Sequence, residues 1–160
     1  MSGVKEFHDI AHFLAHLAHV EVAVKVTEHH ALEHACRIIE KDAKGQFGRY
    51  QGDVPPFGAW PPLAETTLKQ HNDLGVGDTP LLVSGYLRES ISHEVEGKNA
   101  VVGSDDDVMV YQELGTDKIP PRPVLGPAGI KSGPAVAKLL GEAVVEAMEY
   151  GAVADWVKLK

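Results

Sequence analysis

A chain of 160 residues and 17.2 kDa, 44% hydrophobic and 24% charged, fits one domain of ordinary size, 1–160, that buries a core without metals or disulfides. No run approaches the roughly 18 apolar residues of a membrane-spanning helix, and the composition is that of a soluble globular protein. The formal net charge of -8 argues against gripping nucleic acid through its phosphates, which needs clustered Lys and Arg, and the single cysteine, Cys36, excludes an intramolecular disulfide and zinc motifs built on cysteine pairs.

The first residues carry no basic stretch followed by an apolar core and a cleavage site, so no secretion signal is expected and the cytoplasm is the expected setting. From Phe7 the apolar residues recur at Phe7, Ile10, Phe13, Leu14, Leu17 and Val20, which is helical spacing. His8, His12, His16 and His19 fall on a neighbouring stripe. The run "VEVAVKV" at 20–26 alternates like a strand, but the helical pattern resumes at once, so a helix break or a continuing helix is expected there. A second helix start is expected at Thr27, a capping residue, with Glu28 in the first turn. Its apolar face is Ala31, Leu32, Ala35, Ile38, Ile39 and Ala43, and it should stop near Gly45. Cys36 in this pattern reads as a small packed side chain.

Residues 46–62, "QFGRYQGDVPPFGAWPP", read as a loop pinned to the body by Phe47, Tyr50, Phe57 and Trp60. A short helix over 63–70 and a loop through "GVGDTP" follow. Ser84 caps a turn containing Leu87, and the alternation of Ile91, His93 and Val95 with Ser92 and Glu94 predicts a strand. "NAVVGS" is a second strand and "VMVYQEL" a third element, strand or short helix, with Asp105, Asp106 and Asp107 in the connection between them. Pro120, Pro121, Pro123 and Pro127 then surround Arg122, so 119–123 should be stiff and extended. An amphipathic helix over 127–150 carries Ile130, Val136, Leu139, Leu140, Val144, Val145 and Met148. Gly129, Gly133 and Pro134 disfavour helix interior, so its regular part is expected to begin near Pro134. The fold class is therefore α+β, with a long N-terminal helix or helix pair and a C-terminal helix packed on a small antiparallel β-sheet.

The nine histidines invite a metal reading. His8/His12, His12/His16 and His30/His34 are each four apart, a spacing that holds zinc, nickel or copper on one helical face, and Glu28 and Glu33 lie near. The H-E-x-x-H pattern is absent, because Ala31 follows His30. A partly solvated helix face is the preferred reading, and a His-rich metal-binding protein or metalloenzyme using His8, His12, His30 and His34 is the alternative. Ser84 and Ser104 sit in turns without the G-x-S-x-G elbow of a hydrolase, and "GVGDTP" lacks the lysine and helix of a phosphate cradle. No catalytic residue, metal ligand or cofactor is assigned, and the chain does not read as an enzyme.

Two linked blocks carry more information. "SGYLRESI" matches a T/S-G-x-L-R-x-S-I turn at Ser84, Gly85, Leu87, Arg88, Ser90 and Ile91. "ELGTDKIPPRPVLGPA" matches E-x-G-T, a basic residue, P-x-R-P-x-L-x-P-A at Glu113, Gly115, Thr116, Lys118, Pro120, Arg122, Pro123, Leu125, Pro127 and Ala128. Together they closely resemble the signature of the bacteriophage tail-component family, the neck, tail-completion or head–tail joining proteins of long-tailed phages and prophages. The resemblance covers about 28–150 and leaves a variable N-terminal helical segment, 1–25, and a C-terminal tail, 151–160, outside it. Val124 stands where the family usually has an aromatic residue.

The resemblance implies a virion structural protein, assembled in the host cytoplasm, that forms a ring, six-fold to match the tail, around the DNA channel. Its partners are then other copies of itself and neighbouring neck and tail proteins, with DNA passing unbound and no membrane involved. Tail terminator and stopper roles belong to the same assembly, and a prophage-encoded regulatory or toxin-antitoxin-like module is a further alternative. On this reading Glu113, Gly115, Thr116, Lys118, Pro120, Pro121, Arg122, Pro123 and Leu125 are candidate assembly-interface residues. A stiff arm loses little entropy on docking, and Arg122 has the fork to hold a carboxylate such as Glu113, within the chain or across an interface. The prolines equally suit a corner fixed inside one chain. Asp105, Asp106 and Asp107 are candidates for an acidic loop facing the channel, where negative charge would repel passing phosphates.

Overall fold

The computed structural model describes residues 9–157, the side chains of 149–157 excepted. Phe7, expected on the apolar stripe, His8, expected on the neighbouring one, and residues 158–160 lie outside the described residues. Asp9 opens the first element: its backbone is extended and its carboxylate accepts from the His12 N–H at 2.9 Å. Helix α1, Ile10–Lys44, then runs unbroken over 35 residues, about 52 Å at 1.5 Å per residue.

The valine alternation at 20–26 neither breaks this helix nor forms a strand. Val costs only about 0.5 kcal/mol against Ala in a helix, and Lys25 Nζ bonds Glu21 one turn back at 2.7 Å. Thr27 lies inside α1, a correction to the second helix start expected there. The helix ends at Gly45, as predicted.

After the loop, helix α2 spans Glu65–Asp73, later than the predicted 63–70. The Leu63 N–H donates to the Tyr50 hydroxyl at 3.1 Å, which holds that residue out of the helix. A single turn, α3, Tyr86–Glu89, leads into strand β1, Ile91–Glu96, which pairs antiparallel with β2, Asn99–Ser104. Register runs from Ile91 opposite Ser104 to Glu96 opposite Asn99, leaving Gly97 and Lys98 as the turn. Gly97 has φ 59°, the positive value that tight hairpin turns require. Ile91 is buried and His93 and Val95 half-buried, while Ser92, Glu94 and Glu96 are exposed, so one face of the ribbon is against the body.

The third element is a helix, α4, Asp107–Leu114, started by Asp106, whose carboxylate accepts from the Val108 N–H at 2.8 Å. The C-terminal helix α5 spans Leu125–Val157 and contains Pro134. Its start at Leu125 corrects the expected start near Pro134. A first turn needs no intrahelical donors, so Pro127 is tolerated there, and the freed N–H groups are bonded from elsewhere, as described below.

Ala43, Phe47, Trp60, Ile91, Met109, Val124 and Ala128 form the core, with Ile39, Leu81, Leu82, Leu87, Val102 and Leu125 packed against it. The core therefore sits where the end of α1, the ribbon, α4 and the start of α5 meet. From there α5 runs back along α1: Ser132 Oγ donates to Asp42 at 2.7 Å, and Leu140 and Val144 share a pocket with Val24 and Ala31. Small buried residues, Ala31 and Ala35 on α1 and Ala128, Ser132 and Ala147 on α5, let the two helices approach closely. The α+β fold class predicted from the sequence is the one observed. Among the described residues no helix is long and apolar enough to cross a membrane.

Candidate functional site

The second sequence block is the return path from α4 to α5. Gly115 ends α4 with φ 75° and ψ 174°, and a Cβ there would stand 2.9 Å from Pro121 Cδ and 3.0 Å from the Ile119 oxygen. No other residue type fits that approach without displacement. Thr116 then ties a tight loop: its N–H donates to the Ile119 carbonyl at 2.8 Å, and its Oγ1 accepts from the Lys118 and Ile119 N–H groups. The Arg122 N–H returns to the Gln112 carbonyl at 2.6 Å. Thr116, Lys118, Pro120 and Pro121 are exposed, Leu125 is half-buried, and Arg122 and Pro123 are buried within the chain.

Glu113 and Arg122 do not pair within the chain; of the two contacts the sequence left open, within the chain or across an interface, the first is not formed. The Glu113 carboxylate accepts the N–H groups of Val124 at 2.7 Å, Leu125 at 3.1 Å and Gly126 at 2.9 Å. It thus caps α5 from outside and places negative charge at the positive end of that helix. Arg122 instead donates through Nη2 to the carbonyls of Pro61 at 3.1 Å and Pro62 at 3.0 Å. Burial pulls its pKa below the ordinary value, partly opposed by Tyr50.

The same corner is clasped from the 46–62 loop. Trp60 Nε1 donates to the Pro123 carbonyl at 3.0 Å, and Gln46 Nε2 to the Val124 carbonyl at 2.9 Å. The Phe57 ring lies where a Cβ on residue 126 would be. Tyr50 bonds Asp78, which raises its hydroxyl pKa, as does burial. The prolines thus fix a corner inside one chain.

The two blocks meet. Ser84, Gly85 and Leu87 of the first and Lys118, Pro120 and Arg122 of the second line one pocket of about 490 Å³, with Gln112 and His71 also in its wall. Arg122 Nε and Gln112 Oε1 are buried there without a hydrogen-bond partner. His71 is buried and its Nδ1 lies 3.2 Å from the Gly77 carbonyl.

Asp105, Asp106 and Asp107 are not equivalent. Asp106 is the cap of α4 and Asp107 its first residue, whereas Asp105 stands in the connection; Asp105 and Asp107 are exposed. The three do not form one free loop tip, which corrects that expectation. Ser104 Oγ accepts from the Asp106 N–H and lies 2.7 Å from Ser90 Oγ. Ser84 Oγ accepts from the Tyr86 N–H at 3.3 Å, so both serines serve turns. Cys36 is buried, with its thiol pKa pushed up by burial and by Glu40 and Glu33.

The histidines scatter among unlike partners. His12 Nδ1 lies 3.0 Å from Asp9, His29 Nε2 is 3.8 Å from Glu33, and His93 Nδ1 bonds Glu40. His8, one member of the proposed ligand set, lies outside the described residues. Among the described residues no three His, Cys, Asp or Glu side chains converge to hold a metal ion.

Sequence alone missed Gln46, Pro61, Pro62 and Gln112 as parts of this site. Their backbone carbonyls and neutral amides carry no pattern that periodicity or charge detects. No family model matches the chain, and no match was found among curated proteins or solved structures.

Proposed function

We propose that the chain is a structural assembly protein of a long-tailed bacteriophage or prophage, a neck or tail-completion component that works at the head–tail junction without catalysis. In this role it is one subunit of a ring, six-fold like the tail, around the channel that DNA crosses. Its partners are further copies of itself and the adjoining neck and tail proteins, and it resides in the virion after assembly in the host cytoplasm.

The observation that carries this reading is the convergence of the two family-like blocks. Residues far apart in the chain, Leu87 and Arg122 among them, line one pocket, so the blocks are parts of one built structure. Two charged groups of the second block are also committed to backbone: Glu113 holds three N–H groups and Arg122 two carbonyls. Such bonds shape a surface and leave no poised nucleophile or acid–base pair. Apolar side chains also stand exposed on several helices, Ile10 at 76% and Leu14 at 58% on α1, Leu114 at 75% on α4 and Met148 at 60% on α5, a distribution suited to contacts in a larger assembly.

The test is electron microscopy of lysates from the parent phage or prophage lacking this gene, with purified protein added back to half. DNA-filled heads and separate tails should accumulate and join on addition. Normally joined particles in the absence of the gene would overturn the proposal.

A further inference from the structure

The pocket shared by the two blocks contains unmatched chemistry. Arg122 is 6% exposed, its Nη2 serves two neutral carbonyls, and its Nε has no partner. Among the described residues no carboxylate is paired with it; its bonds go to the carbonyls of Pro61 and Pro62. A buried cation without a counter-ion is costly, and a carboxylate brought to it offsets part of that cost. Gln112 Oε1, in the same wall, is a buried acceptor with no donor. Lys118 stands exposed at the rim and adds a second positive charge. The pocket thus places the cations Arg122 and Lys118 around a space of about 490 Å³ walled by Pro62, Leu63, Leu87 and Ile119, a setting for a carboxylate. An acidic segment of polypeptide fits that set.

The chain itself carries one run of three consecutive acidic residues, 105–107. Asp106 is bound into the cap of α4, which fixes the backbone of the run, while Asp105 and Asp107 point their charge into solvent. A segment already held in place loses little entropy when it docks.

We propose that the Arg122 pocket receives the 105–107 segment of a second copy of this chain, its carboxylates meeting Arg122 and Lys118. The inference rests on the assembly reading above and names the contact that reading lacks. The acidic segment opens α4, and Gln112 of the pocket wall lies in the same helix, so the contact is compatible both with a head-to-tail ring and with a reciprocal pair. It also pairs unlike charges between subunits that each carry a net -8, and so offsets repulsion that would otherwise keep copies apart.

Sedimentation velocity on the full chain tests this with exposed positions only: Lys118→Glu in one variant, Asp105→Lys with Asp107→Lys in another, each checked for native circular dichroism. The wild type should associate with rising concentration. Each variant alone should associate about tenfold more weakly, and an equimolar mixture should regain association, because the intact pocket of the segment variant then meets the intact acidic segment of the Lys118→Glu variant. Unchanged association in either variant, no recovery on mixing, or a wild type that stays monomeric to millimolar concentration overturns the inference. Joining of heads to tails by a strictly monomeric wild type would sink this contact and leave the assembly reading standing. Charge-swap recovery alongside normal particles in the gene deletion would do the reverse.

Discussion

Glu113 in α4 and Gly126 in α5 are joined by a hydrogen bond of 2.9 Å from the glycine N–H to Glu113 Oε1. The same carboxylate takes the two preceding N–H groups, so the start of the C-terminal helix is set by a side chain from another helix. Glu113→Ala should destabilise the protein by about 2–3 kcal/mol, a lost cap plus N–H groups left without an acceptor. Glu113→Gln keeps acceptor capacity on one oxygen and should cost about half as much. Urea unfolding monitored by circular dichroism measures both.

Gly126 meets its other constraint at Phe57, because a Cβ on this residue would overlap the Phe57 ring. Gly126→Ala should cost about 1–3 kcal/mol through overpacking. Pairing it with Phe57→Leu should recover part of that loss, so the double mutant falls short of the sum of the singles. An additive cycle would show that the ring moves aside freely.

The acidic run should separate into unlike members. Asp106→Ala removes the α4 cap and should cost about 1 kcal/mol. Asp105→Asn, at an exposed position, should lie within about 0.5 kcal/mol of wild type. Thermal unfolding of the two variants side by side decides it.

Glu40 joins α1 to the ribbon through His93 and bonds Lys44 at 2.7 Å. Its folded pKa is lowered, chiefly by the Lys44 hydrogen bond and then by His93, against the opposing effect of burial. A depressed carboxylate stabilises the fold above its unfolded pKa, and that contribution is lost as pH falls through the folded value. The stability gap between wild type and Glu40→Gln should therefore be full at neutral pH and close as pH drops below the ordinary value of 4.5. Denaturant titrations from pH 7 to pH 3 would show it, and a gap that widened toward acid would contradict the assignment.

The ribbon was legible because Ile91, His93 and Val95 alternate with polar neighbours and the turn carries glycine at the position that needs it. Trp60 and Phe47 could be read as anchors from their place in a loop rich in glycine and proline, and both are buried. The start of α5 was not legible. Local penalties at Gly129, Gly133 and Pro134 argued for a late start, whereas the capping carboxylate comes from Glu113, whose position depends on tertiary structure. The same holds for Arg122. Charge alone suggested Glu113 as its partner, yet each took backbone groups, the arginine reaching carbonyls at Pro61 and Pro62. Backbone partners have no signature in a list of side chains, and this is why the pocket's floor stayed hidden while its rim at Lys118 and Pro120 did not.

Helix α1 is one rod of 35 residues, and its buried residues, Ala31, Ala35, Cys36 and Ala43, all lie toward one end. The span from Ile10 to the first of them is about 32 Å at 1.5 Å per residue. Helix α5 lies beside this stretch, with Leu140 and Val144 lining a pocket with Val24, so the two helices form a paired arm: a tilt of about 10° at the core end carries the far tip about 5 Å, a small-rotation amplification of the kind seen in hinge motions. Whatever seats the core end of the molecule therefore sets where its opposite end points.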